Sequence, residues 1–247
     1  MASIVLDSVS IRFPIYHTGA RSLRKTLLSM TTKRNIASDR HGLYVRALDD
    51  ISLAIGYGDR VGVVGKNGAG KTTLLRVIAG IYEPVVGRVR VEGTVSALLD
   101  VNLGLSLDAT GYENIMLRGL YLGMRPSEIR ALAPGIAEFS ELGEFLHFPA
   151  RTYSTGMFLR LAFSIVTATK PELLVMDEWL MAGDAHFLSK AAARIDTFIG
   201  QSKILVLASH SLDILRKWCN RVIWLESGRV VMFGDPETVL ERYGKTP

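Results

Sequence analysis

The chain has 247 residues, enough for one large domain or for a core domain with a small lobe. Apolar residues make up 48% and charged residues 21%, which excludes a disordered chain and allows a large core. The formal net charge of +5 admits nucleic acid, anionic lipid or a phosphorylated ligand as partner without choosing among them.

The amino-terminal run MASIVLDSVSIRF lacks the basic-then-apolar layout of a signal peptide. No apolar stretch approaches the ~20 residues needed to span a bilayer, so a membrane role would fall to a separate partner chain. In IVLDSVSIRF, Val9, Ile11 and Phe13 alternate with polar residues, and in ALDDISLAI, Ile51, Leu53 and Ile55 do the same, predicting two strands. Between them, residues 17–42 form a basic insertion. Leu23, Leu27 and Met30 share one face of a predicted helix there; Arg21, Arg24 and Lys25 lie elsewhere around it, with Lys33 and Arg34 following. Two readings stay open: a solvated surface helix, or an amphipathic element near anionic headgroups or an anionic substrate.

RVGVVG follows as a short buried strand, then a glycine turn, then KTTLLRVIAG as a helix. GRVRVEGTVSALL reads as further strand. Residues 111–145 read as helical, with Ser127 as an N-cap and Glu128 in the first turn. In RTYSTGMFLRLAFSI, an exposed Ser-Thr-Gly turn heads an apolar helix from about residue 155. The order then alternates: strand LLVMD, a helix near 185–199, strand KILVLAS, another helix, strand RVIWL. Cys219, the only cysteine, precedes that last strand; it excludes an intrachain disulfide and a zinc cluster of cysteines, and suits a reducing cytoplasm. GDPETVLERYG closes as a helix opened by Asp235 and Pro236. Strands alternating with helices imply a parallel sheet with right-handed crossovers.

GKNGAGKT, Gly65 to Thr72, fits the spacing G-x-x-x-x-G-K-[ST] between a buried strand and a helix. Glycines let the backbone turn several N–H groups toward one anion, and the helix adds its positive end. Lys71 would oppose the β- and γ-phosphates as a point charge, and the Thr72 hydroxyl would ligate Mg²⁺. A triphosphate site also needs a carboxylate for the metal and a group that activates water. LLVMDE supplies both: Asp177 at the carboxyl end of an apolar strand, and Glu178 as general base. The strand KILVLAS leads to His210, placed at the sheet's edge to contact the γ-phosphate and orient Glu178 or the water.

The order of phosphate loop, Ser-x-Gly turn opening a helix, Asp-Glu strand and Ser-His resembles an ABC-type ATPase. The resemblance implies an α/β P-loop NTPase fold with a mostly parallel core sheet, an antiparallel β lobe and a helical subdomain. Residues 1–247 would form one such domain, with the helical subdomain at about 100–165 carrying the signature motif. That motif falls on Ser154, Thr155, Gly156 and Met157; Thr155 and Met157 depart from the commonest form, Ser-Gly-Gly-Gln. In the family it crosses a head-to-tail dimer to close on the γ-phosphate held by the other subunit. Nucleotide contacts are implied for Gly65, Lys66, Asn67, Gly68, Ala69, Gly70, Lys71, Thr72 and Thr73, and the D-loop aspartate falls on Asp184. Phe13 and Tyr16 both compete to stack on adenine. The Q-loop glutamine is missing, since Gln201 is the only glutamine; Asp100 in ALLDVNLG is the candidate substitute. Trp179 follows Glu178 where the family often has proline.

TYSTGMFLRLAF further resembles ATP-binding subunits of bacterial polysaccharide exporters, which move O-antigen, capsular polysaccharide or teichoic acid. GKNGAGKTTLLRVIAGIYEP, TGYENI, MAGDAHF and the insertion after IRFPIY agree, and the likeness runs from about residue 3 to 243. It implies ATP and Mg²⁺, a homodimer, a separate transmembrane permease dimer and a lipid-linked polysaccharide as cargo. The place implied is the cytoplasmic face of the inner membrane, peripherally bound, with no nucleic acid. The chain stops at Pro247 directly after the ATPase fold, so the resemblance implies that selection of glycan ends occurs elsewhere or not at all. Capsule or teichoic acid export is the alternative cargo. A non-transport ABC ATPase acting on nucleic acid usually carries paired ATPase units, zinc modules or coiled-coil arms, which are lacking here. A small-solute importer would share every catalytic residue but not the departures at Thr155 and Met157 or the insertion.

Overall fold

The computed structural model describes residues 2–15, 36–39, 42–99, 103–177 and 185–245. Tyr16, the helix expected around Leu23, Leu27 and Met30, Asp100, Glu178, Trp179 and Asp184 lie outside the described residues. In chain order the elements begin with β1 (Ser3–Pro14), β2 (Ile36–Asp39), β3 (Gly42–Ile55), β4 (Arg60–Val64), α1 (Lys71–Ile78) and β5 (Val86–Glu92). There follow β6 (Val95–Leu98), α2 (Gly111–Tyr121), α3 (Pro126–Ser140), α4 (Thr155–Val166), β7 (Leu173–Met176) and α5 (Ala185–Gln201). The chain closes with β8 (Ile204–Ala208), α6 (Leu212–Trp218), β9 (Arg221–Glu226), β10 (Arg229–Gly234) and α7 (Pro236–Gly244). They group into two compact units, Met1–Gly93 with Lys203–Pro247, and Thr94–Ser202.

The first unit holds two sheets. One is antiparallel, in the order β2-β3-β1-β5. Its inward side chains are Ile4, Leu6, Val9 and Ile11, all buried. The spacing slips by one between Leu6 and Val9 because the pairing with β3 shifts there, and Ser8 takes a φ of 50°. The end of the expected basic insertion is strand: β2 pairs with β3 from Ile36↔Val45 to Asp39↔Gly42. The second sheet places β4 parallel to both β8 and β9, with β10 antiparallel to β9. Every residue of β8 is buried, as are Val61, Val63 and Val64 of β4. A strand covered on both faces reads as an unbroken apolar run, which is why RVGVV and ILVLA carry no alternation. α7 starts as the sequence predicts, with Asp235 Oδ2 accepting the Thr238 N–H at 3.1 Å and Pro236 next. Cys219 caps α6 and is buried; burial pushes its thiol up to about 12, against the opposing charge of Arg60.

The second unit pairs β6 with β7 in parallel, Val95↔Leu173 through Leu98↔Met176. The run read as one further strand is therefore two: β5 ends at Glu92 in the antiparallel sheet and β6 starts at Val95 beside β7. Gly93, with a φ of 113°, breaks it. α2, α3 and α4 bury Ile115, Ile129, Ile136, Leu142, Leu146, Leu161 and Ile165 in one apolar cluster. The predicted helical stretch 111–145 is α2, α3 and a 3-10 turn at Gly143–His147. Ser127 is not the N-cap. Pro126 presets the first helical φ, so α3 starts two residues earlier and Arg125 takes the cap position. Glu128 remains in the first turn, where its carboxylate accepts the Arg125 N–H at 2.8 Å.

Candidate functional site

The loop from Gly65 to Gly70 joins β4 to α1. Its first residue abuts β9: a methyl on Gly65 would sit 2.3 Å from Leu225 O. Its last abuts β3: a methyl on Gly70, whose φ is 107°, would sit 2.7 Å from Ala47 O. Lys66, Asn67 and Gly68 form the exposed crest. Lys71 is buried, and its Nζ donates to Gly65 O at 2.7 Å and to Lys66 O at 3.4 Å. The ammonium is thus held inside the bend of the loop. No side chain caps α1 and no acidic residue lies in its first turn, so its positive end faces the loop unopposed. Thr72 and Thr73 are half-buried in that turn. A concave backbone with a cation in its bend and a hydroxyl at the helix start has the donor set that a triphosphate requires.

His210 belongs to the same unit. It is exposed, two residues beyond Ala208, and Ala208 pairs with Val63 next to the Gly65–Gly70 loop. The carboxyl ends of adjacent parallel strands therefore bring His210 to the edge from which the loop leaves. Ser209, buried, orients the bend: its hydroxyl accepts the Ser211 N–H at 3.0 Å. Phe13 is half-buried at the end of β1, its ring edge-on to Tyr82 with centroids 5.3 Å apart. Tyr82 was not singled out by the sequence. It lies far from Phe13 along the chain, and Arg76 Nη1 donates to its hydroxyl at 2.9 Å.

In the second unit all four residues of β7 are fully buried and Asp177 follows, half-buried at the carboxyl end. Its backbone N–H donates to Leu98 O at 3.2 Å. The burial makes the side chain the first polar group that strand presents. A carboxylate in that place suits a hard divalent cation, as does the Thr72 hydroxyl in the first unit.

The Ser154–Met157 turn also lies in the second unit. Ser154 is the N-cap of α4, and its hydroxyl accepts the Met157 N–H at 3.2 Å. Ser154 and Thr155 are exposed, and the first turn holds no acidic residue. A methyl on Gly156 would meet only the Ser154 hydroxyl, at 3.8 Å, which is ordinary contact. The turn is pinned from behind. Tyr153 donates its hydroxyl to Phe145 O at 2.7 Å, while the Ala150 and Arg151 N–H groups donate to Ala109 O and Leu107 O, both at 2.8 Å. That Leu107–Ala109 strip is held in turn by buried Asn114, whose amide donates to Ser106 O, Ala109 O and Thr110 O. TGYENI thereby gains a physical reading. Thr110 and Glu113 form a reciprocal cap on α2, and Asn114 secures the preceding loop.

The family model described as ABC transporter matches residues 48–181. Among curated proteins, the chain is 42% identical over 231 residues to the O-antigen export system ATP-binding protein RfbE of Yersinia enterocolitica, covering 93% of this chain and 97% of that one. It is 35% identical to the O-antigen export system ATP-binding protein RfbB of Klebsiella pneumoniae, over 97% and 96% of the two chains. An RfbB of Myxococcus xanthus is 43% identical over 85% of this chain, which spans 48% of that longer protein. Among solved structures, a dimeric post-hydrolysis ATP-binding cassette bound to ADP and Pi superposes with a TM-score of 0.68 at 20% identity, covering 94% of this chain and 98% of that one. An ATP-binding subunit of an ABC transporter gives 0.68 at 19% identity, over 98% and 93%.

Proposed function

The chain belongs to the ABC transporter family of ATPases, and from that premise we propose that it powers an exporter of lipid-linked polysaccharide, O-antigen in type, from the cytoplasmic face of a bacterial inner membrane. Residues 1–247 act as one ATPase domain, peripheral to the membrane, paired with a second copy and docked on a separate transmembrane permease dimer. Relatives matched over nearly their whole length carry the name of O-antigen export ATP-binding proteins, which supports that cargo.

The amides of Gly65–Gly70 and the Lys71 ammonium hold the β- and γ-phosphates, and Phe13 or Tyr16 stacks on the adenine. Thr72 and Asp177 would hold Mg²⁺, which when bound neutralises charge building on the phosphates. Glu178 takes the proton of the attacking water, and His210 holds that water in line with the γ-phosphorus. The bond to the ADP oxygen breaks as the water oxygen bonds to phosphorus, and inorganic phosphate leaves. The Ser154–Met157 turn of the second copy, with Asp184 nearby in sequence to the Asp-Glu pair, closes over the triphosphate. One observation carries this clamp: Gly156 stands in an exposed, amide-rich turn where the chain's own packing does not call for a glycine.

Glu178→Gln is the direct test, read in vesicles that contain the subunit, its permease and lipid-linked glycan. The variant is expected to bind ATP and dimerise while turnover falls by about 10²–10⁴-fold, ~3–5 kcal/mol in barrier, and export stops. Undiminished export by that variant, with ATPase activity indifferent to the glycan, would overturn the proposal.

A further inference from the structure

Beneath the phosphate loop, three backbone segments far apart in sequence meet within the first unit. Ala69 O accepts the Gly228 N–H at 2.9 Å, and Gly228 O accepts the Asp49 N–H at 2.8 Å. The approach is tight: a methyl on Gly228 would sit 2.8 Å from Ala47 O. A peptide plane carries its C=O and N–H on opposite sides. Aiming the Ala69 carbonyl at the β9–β10 turn therefore sends the Gly70 N–H the other way, to the loop's far side.

Two neutral hydrogen bonds do little to stop the turn sliding along β3. A charge knot adds the missing hold. Asp49 Oδ2 accepts Arg229 Nε at 2.7 Å, lies 2.5 Å from Arg229 Nη2, and accepts Arg46 Nη1 at 3.0 Å. The Asp49 side chain is 17% exposed, so water screens this knot less than it does a surface pair. Burial works to raise the Asp49 carboxyl, but bonds and charges from Arg229 and Arg46 prevail and hold it below its ordinary value.

We propose that Asp49 and Arg229 are positioning residues for nucleotide binding: by locking the β9–β10 turn to β3, they fix the Ala69–Gly70 peptide and so the aim of the loop's amides. The proposal rests on the reading of Gly65–Thr72 as the phosphate cradle. Neither residue needs to touch the nucleotide, and Arg46 shares the carboxylate in a lesser part.

Calorimetric titration of the full 247-residue chain with MgADP tests it. Asp49→Asn and Arg229→Gln are each expected to weaken binding about tenfold, and Arg229→Lys, which keeps the charge but loses the fork, about threefold. In turnover assays the KM for ATP should rise while kcat stays within about twofold. Amide exchange should quicken at Lys66–Gly70 and not in β4 or β8. Should Asp49→Asn fail to fold, the two variants at Arg229, a mostly exposed side chain, decide the matter. Wild-type affinity in the Arg229 variants, with Lys71→Ala abolishing binding, overturns the proposal and leaves the cradle standing. Exchange raised equally throughout the unit also overturns it. ADP bound normally by Lys71→Ala overturns the cradle itself, and the proposal with it.

Discussion

The Gly65–Gly70 loop and the Ser154–Met157 turn are made of similar parts, a glycine bend and a helix without acidic residues in its first turn. They differ in what the glycines answer to. Gly65 and Gly70 are demanded from within, because methyls there would lie 2.3 Å from Leu225 O and 2.7 Å from Ala47 O. Gly156 has open space apart from the Ser154 hydroxyl at 3.8 Å. A glycine imposed by packing serves the fold whether or not a ligand arrives. A glycine that packing leaves optional, in an exposed turn at a helix start, points to contact from outside the chain.

Gly65→Ala should give the largest effect. Backbone oxygen at 2.3 Å cannot step aside cheaply, so unfolding free energy should fall by about 3 kcal/mol in urea titrations, with ADP binding lost. The same substitution at Gly156 should leave stability within about 0.5 kcal/mol of wild type and lower ATP turnover about tenfold. Equal instability in the two variants would erase the contrast, and undiminished turnover in Gly156→Ala, or in Ser154→Arg, would remove the outside contact. The smallest effect sharpens the contrast in another way: a largely buried carboxylate knots the first region, while the second is braced by neutral hydrogen bonds and an exposed ion pair, Arg151 with Asp108 at 3.0 Å. Asp49 has a folded-state pKa below its reference of 3.8, so its contribution is present above that value and fades as pH falls through the folded one. The stability gap between wild type and Asp49→Asn should hold steady from about pH 8 to about pH 5 and close below pH 3.8. A gap that closes near neutrality would assign it to another group.

The glycine loop between β4 and α1, the buried strand before Asp177 and the helix start at the Ser-Thr-Gly turn were legible in the sequence because each is a local pattern. Residue type and spacing within eight or ten positions decide them. The cap of α3 was misplaced by two residues because Pro126 competes with Ser127 for the start, and the proline's fixed φ wins. The break at Gly93 was hidden because an apolar alternation says nothing of which partner each half will find. The Asp49–Arg229 knot was beyond reach altogether, joining residues 180 apart whose meeting depends on the packing of β3 against the β9–β10 turn. Phe13 was singled out as a stacking candidate by the resemblance, which did not foretell its contact with Tyr82.

Cys219, buried at the cap of α6 with its thiol pushed up to about 12, leaves a quiet chemical background. Thiol reagents attack the anion, and this side chain offers neither the anion nor the access. A cysteine placed at exposed Thr155 would then be the sole reactive handle on an otherwise native chain. Spin labels attached there would report, through their mutual dipolar coupling, how near two copies come during turnover.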